Sequence, residues 1–180
     1  MSLIPESDSP TLAWMVVHFV RLWHLGYDHM NPVHGRAVWV GDIASAADAD
    51  ALDAAGITHV LAITQFGEAA VFHPGRYAYR VVKLLDVPEA DIGATLTESA
   101  DWIDRAVRGG GRVLVHCNAG RSRSATTAAA YLLKHAGVPR VRAAFDQLHQ
   151  ARELVRPNPG FVRQLQQWWG AEQQRADRRR

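Results

Sequence analysis

The 180-residue sequence has only one cysteine. An internal disulfide is therefore excluded, and folding requires no oxidising compartment. No second thiol is at hand to rescue the first after oxidation. The chain also lacks internal repeats, low-complexity blocks and long linkers, so one main domain is expected, and 48% hydrophobic residues suffice for its core. Charge of either sign is nearly balanced, at a formal +2. Part of the excess is terminal: Arg175, Arg178, Arg179 and Arg180 mark residues 173–180 as a solvated basic tail. The first eight residues carry Glu6 and Asp8 but no Lys or Arg, which argues against a secretory signal there. One strongly apolar stretch, residues 12–25, is interrupted by His18, Arg21 and His24 at a spacing of three. It is too short and too interrupted to span a bilayer. Residues 1–30 are expected to form an apolar helical extension, either packed on the domain or a partner chain, or lying on a membrane surface. The histidines are scattered without ligand spacing, so no metal site and no cofactor are expected.

What is present is concentrated in one segment: His116, Cys117, Asn118, Ala119, Gly120, Arg121, Ser122, Arg123 and Ser124. Five residues separate the cysteine from Arg123. A thiol becomes a strong nucleophile as its thiolate, which nearby positive charge or a helix N-terminus favours. Arginine offers a planar fork of donors that matches two phosphate oxygens. A short loop between the two can turn its backbone N–H groups inward as an anion nest. A lone cysteine is otherwise a small buried hydrophobe. His, Cys, Gly, Arg and Ser at these offsets would arise by chance in roughly one chain in 10^5 of this size and composition. That rarity favours a nucleophile and phosphate clamp in one loop.

The flanks agree. Gly109, Gly110 and Gly111 signal a turn, and residues 112–116 form a short apolar run typical of a buried strand. Residues 124–134 are rich in Ala and Leu and are apolar on most sides, which predicts a central helix with Gly137 near its end. Elsewhere, strands are expected over residues 37–40, 58–64 and 77–85, and helices over 46–55 and 93–108. Pro139 opens a further helix with Val141, Phe145 and Leu148 facing inward, and the last helix is anchored by Phe161, Leu165 and Trp168. Pro32 and Gly35 separate the N-terminal extension from the domain. The alternation predicts an α/β fold: a mostly parallel central sheet of about five strands with helices on both faces.

With these residues in view, the chain resembles the dual-specificity type of cysteine-dependent protein tyrosine phosphatases over residues 36–170. The strongest match is His116 to Ser124, followed by Ala125 and Thr126. Val40, Gly41 and Asp42, with Leu52 and residues 56–61, resemble that family's opening. Asp86, Val87 and Pro88, about thirty residues before the cysteine, resemble its general-acid loop. Arg156, Pro157, Asn158, Pro159, Gly160 and Phe161 resemble its closing signature. The resemblance implies a catalytic domain over residues 31–172, in the cytoplasm, acting on a phosphorylated protein or peptide.

The implied roles are specific. Cys117 attacks phosphorus and forms a phosphocysteine intermediate. Arg123 and the backbone amides of Asn118, Ala119, Gly120, Arg121 and Ser122 bind the phosphate and stabilise the transition state, with Gly120 allowing the tight turn. Ser124 hydrogen-bonds the sulfur and helps it leave. His116 and Asn158 support the loop, His116 by hydrogen bonding. Asp86 is favoured as general acid over Asp91, because Asp91 precedes a helix and suits an N-cap. The expected reaction is metal-independent hydrolysis of phosphotyrosine, extending to phosphoserine and phosphothreonine. An alternative is a lipid phosphatase acting on phosphatidylglycerophosphate or a phosphoinositide. Arg121 and the apolar residues 12–25, as a peripheral membrane contact, lean that way, whereas Asn118 leans against it. An RNA 5′-triphosphatase and a non-catalytic phosphate-binding module rank lower, and nucleic acid is not the expected partner.

Overall fold

The computed structural model describes residues 28–179. The apolar stretch 12–25 and most of the N-terminal extension lie outside the described residues. Within them, strand order is β1-β2-β5-β3-β4 in a single sheet. The elements are β1 (Met30–His34), β2 (Val38–Gly41), α1 (Ile43–Ala47), α2 (Ala49–Ala54), β3 (His59–Thr64), β4 (Ala78–Lys83), α3 (Gly93–Arg108), β5 (Val113–His116), α4 (Arg123–Lys134), α5 (Val141–Ala151) and α6 (Pro159–Asp177). β2, β5, β3 and β4 are parallel, and β1 joins β2 antiparallel at the edge.

Alternation along the central strands sorts the core into two layers. Val38, Val40, Leu61, Ile63, Val113 and Val115 face one side, where α3, α4, α5 and α6 pack. Trp39, Val60 and Leu114 face the other, against Leu52 of α2, Ile57 and Tyr77. α4 is buried from Arg123 through Leu133, as its nearly all-round apolar sequence predicts. It lies beneath the sheet as the central helix, and its N-terminus follows directly from the loop after β5.

Two elements differ from the sequence expectation. Residues 46–55 form two short helices, not one, because Asp48 leaves the helical conformation and its carboxylate caps Ala51 N–H at 3.0 Å. Residues 30–34 form a strand where Pro32 suggested a break. The strand is at the sheet edge, and Pro32 lies beside an irregularity in its register, a position where a missing N–H is tolerated. The last helix also continues to Asp177, past the expected start of the tail at residue 173. Among the described residues, no helix is long and apolar enough to cross a membrane.

Candidate active site

The site lies at the carboxyl end of the parallel strands, the usual place for ligands in open α/β sheets. β5 ends at His116, with Gly41 of β2 and Ala62 of β3 beside it. Cys117 follows at once and is 1% exposed. The chain then turns through residues 118–122 into α4. Gly120 makes this turn possible in two ways. Its φ is +63°, which side-chain-bearing residues rarely adopt, and a Cβ there would stand 2.6 Å from the Gly41 carbonyl oxygen. The loop is tied to its surroundings by Ile43 N–H donating to Asn118 O at 3.1 Å and Arg156 N–H donating to Arg121 O at 2.9 Å. Ser122 occupies the N-cap of α4 without capping it, so its hydroxyl serves elsewhere.

The residues named from the sequence converge here. Ser124 Oγ lies 3.3 Å from Cys117 Sγ. Arg123 is 3% exposed, and its Nη1 donates to Leu84 O at 3.1 Å and Gln65 Oε1 at 3.2 Å. Its Nε stands 3.4 Å from Asp86 Oδ2, an ion pair rather than an aligned hydrogen bond. Asp86 Oδ1 accepts from Ser122 Oγ at 2.7 Å and from Asn158 Nδ2 at 2.8 Å. Asn158 does double service: its Oδ1 also caps α6 by accepting from Phe161 N–H at 2.9 Å. Thus the carboxylate of residue 86, distant in sequence, is fastened to the loop that carries the thiol. Asp91 is placed differently. Its Oδ1 accepts from Ala94 N–H at 3.0 Å, capping the first turn of α3.

Two expectations are corrected. His116 was expected to fix the loop by hydrogen bonding, yet neither ring nitrogen has a hydrogen-bond partner of ordinary geometry. Full burial lowers its pKa from 6.5 to about 4, the Arg123 charge pushes the same way, and the Cys117 backbone opposes both. It is a neutral, space-filling ring at neutral pH. Arg121 contributes its backbone to the loop, but its exposed side chain turns across the rim, with Nε donating to Leu154 O at 3.3 Å.

One supporting residue went unnamed in the sequence. Arg152, at the end of α5, is 3% exposed. Its Nε donates to Gly120 O at 3.1 Å, and its Nη1 to Asp28 O at 2.8 Å and Asn31 Oδ1 at 2.9 Å. Its Nη2 lies 3.6 Å from Asp42 Oδ2. The guanidinium joins the Cys117 loop to both ends of the β1–β2 hairpin. The signal was its spacing: Ala144, Leu148 and Arg152 share the buried stripe of α5 at intervals of four.

The sequence as a whole settles the family. The dual specificity phosphatase catalytic domain matches residues 38–170. The chain belongs to the dual specificity phosphatase family. Dual specificity protein phosphatase 1B of Arabidopsis thaliana is 37% identical over 133 residues, covering 74% of this chain and 78% of the relative. Dual specificity protein phosphatase 1 of the same plant is 34% identical over 139 residues, covering 77% and 69%. The crystal structure of human DUSP28 superposes with a TM-score of 0.75 at 33% identity, covering 82% of this chain and 97% of that one. This dual specificity phosphatase is accordingly a cysteine-based phosphatase.

Proposed function

We propose that the enzyme hydrolyses phosphotyrosine monoesters, extending to phosphoserine and phosphothreonine, through a phosphocysteine intermediate. The carrying observation is the attachment of Asp86 to the Cys117 loop through Ser122 and Asn158. It puts an acid beside a nucleophile and a buried guanidinium. Cys117 Sγ attacks phosphorus, an S–P bond forms, and the bond from phosphorus to the ester oxygen breaks as Asp86 supplies that oxygen's proton. In the second step water attacks phosphorus, Asp86 takes the water's proton, and the S–P bond breaks with its electrons returning to sulfur. Ser124 stabilises the departing thiolate by donating a hydrogen bond to it. Arg123 and the amides of residues 118–123 hold the phosphoryl oxygens in both steps. A lone thiol that must stay reduced fits a reducing compartment, and the reading includes the cytoplasm. The engagement of Arg121 with Leu154 supports peptide over lipid headgroup, because that guanidinium already serves the rim.

The test is phosphate release, with chelator present, from a phosphotyrosine peptide, a phosphothreonine peptide and phosphatidylglycerophosphate micelles. Cys117→Ser is expected to abolish turnover while retaining phosphate affinity. Asp86→Ala is expected to slow aryl esters modestly and alkyl esters severely, since a poorer leaving group depends more on protonation. Lipid turnover exceeding both peptides would replace the protein substrate. An Asp86→Ala enzyme with equal loss on both ester types would remove Asp86 as the acid.

A further inference from the structure

Among the described residues, two large apolar side chains stand well out in solvent: Leu85 at 56% exposure and Val87 at 40%. Singly scattered apolar residues need no explanation. These two lie in the same loop, one on each side of Asp86.

That loop is fastened. Leu84 N–H donates to Thr64 O at 3.0 Å, and Leu84 O accepts from Arg123 at 3.1 Å. Asp86 is held by Ser122 and Asn158. Gln164 Nε2 donates to Ala90 O at 2.9 Å, and Pro88 lies against Gly160 so closely that no Cβ fits between them. Leu84, Asp86 and Pro88 are therefore tied to the domain, whereas Leu85 and Val87 project from it. Leu84 already packs against the main core, and the exposed pair adds little to folding.

We propose that Leu85 and Val87 form an apolar rim that selects phosphopeptides bearing an aliphatic or aromatic side chain directly beside the phosphorylated residue. This selection rests on the phosphopeptide reaction proposed above. A peptide whose phosphate occupies the cradle must lay its neighbouring residues across the mouth. The loop that presents the acid borders that mouth. An apolar neighbour there removes its own surface and that of Leu85 and Val87 from water, whereas a serine or aspartate does not. Glu89 and Asp91 are exposed two and four residues beyond Val87. Their charge repels an acidic flank, and it also repels an anionic membrane surface. Two side chains also give far less apolar area than a membrane-surface anchor buries. A peptide flank is the occupant that fits.

The experiment compares kcat and KM for wild type and the Leu85→Ser/Val87→Ser double variant. The substrates are matched phosphotyrosine peptides with Leu, Val, Ser or Asp beside the phosphoresidue, anionic phosphatidylglycerophosphate micelles, and p-nitrophenyl phosphate. Wild type should favour the apolar flanks over Ser by about five- to thirty-fold in kcat/KM. The double variant should lose that preference through KM while keeping kcat on p-nitrophenyl phosphate. Equal wild-type turnover of all peptides would overturn the rim while leaving the proposed reaction intact. So would a variant that keeps its preference. A proportional loss on p-nitrophenyl phosphate would also overturn it, because the side chains would then act through Asp86. Micelle turnover above that of every peptide and dependent on the pair would assign the rim to a lipid surface instead. Absence of Cys117-dependent turnover on any substrate would overturn the reaction itself.

Discussion

Gly160→Ala is a small substitution far from the thiol in sequence, and it should act on the acid. Gly160 lies in the first turn of α6, buried against the backbone of Pro88. A Cβ placed there would lie 2.5 Å from Pro88 Cα, 2.6 Å from its carbonyl carbon and closer still to its carbonyl oxygen. Ordinary contact begins near 3.4 Å, so the Pro88 backbone must retreat by about 0.9 Å, the difference of 3.4 and 2.5. Pro88 is two residues from Asp86, and the hydrogen bond from Asn158 to Asp86 starts two residues before Gly160. The two ends of the clash therefore bracket the acid. A misplacement of about 1 Å costs on the order of 10^2 in rate for a step that needs that group, and the overpacking costs about 1–3 kcal/mol of stability. The expected result is a kcat on phosphothreonine or alkyl phosphate down about 100-fold. On p-nitrophenyl phosphate, whose leaving group barely needs a proton, kcat should fall less than about tenfold. Phosphate affinity, read by competitive inhibition, should be unchanged. Equal losses on both ester types, or full activity on both, would refute the idea that α6 positions Asp86 through Pro88.

Other consequences follow from buried polar groups. His116 is buried with its pKa lowered to about 4, so below pH 6.5 the unfolded chain takes up a proton that the folded protein refuses. Stability is fully retained above pH 6.5 and is lost as pH falls toward 4, by about 2 kcal/mol between pH 7 and pH 5. Urea unfolding at both pH values should show this slope. A His116→Asn variant should flatten it, and an unchanged slope in that variant would reassign the effect. Arg152→Ala should cost about 3–5 kcal/mol, because Gly120 O and Asp42 lose a buried cationic partner. That corresponds to a Tm lower by about 10 °C or more. Thermal unfolding showing a loss under about 1 kcal/mol would mean the guanidinium is dispensable.

The site was legible to the extent that its residues are contiguous or of a rare type. Cys117, Arg123 and Ser124 occupy one loop, and their spacing alone brings them together once a strand and a helix flank them. Asp86 and Asn158 were legible through their loop and turn contexts, but not as partners. Arg152 was hidden because most cationic residues of this chain are arginines on exposed surfaces. Only its interval from Ala144 and Leu148 set it apart. His116 misled in the opposite way, since a polar ring beside a nucleophile suggests hydrogen bonding, and burial without partners cannot be read from one dimension. The break expected at Pro32 was absent because an edge strand tolerates a residue that cannot donate.

The order of strands and helices, the buried central helix and the nucleophile–clamp loop follow from the sequence itself, because each depends on periodicity and spacing over a dozen residues or fewer. Contacts between segments dozens of residues apart were decided by the tertiary structure. The packing of α6 against the 84–90 loop brings Asn158 and Gly160 to Asp86 and Pro88. The end of α5 brings Arg152 to Gly120. The same packing turns Leu85 and Val87 outward while Asp86 turns in. Those pairings depend on how the layers close over one sheet, and no local pattern encodes which distant side chains then meet.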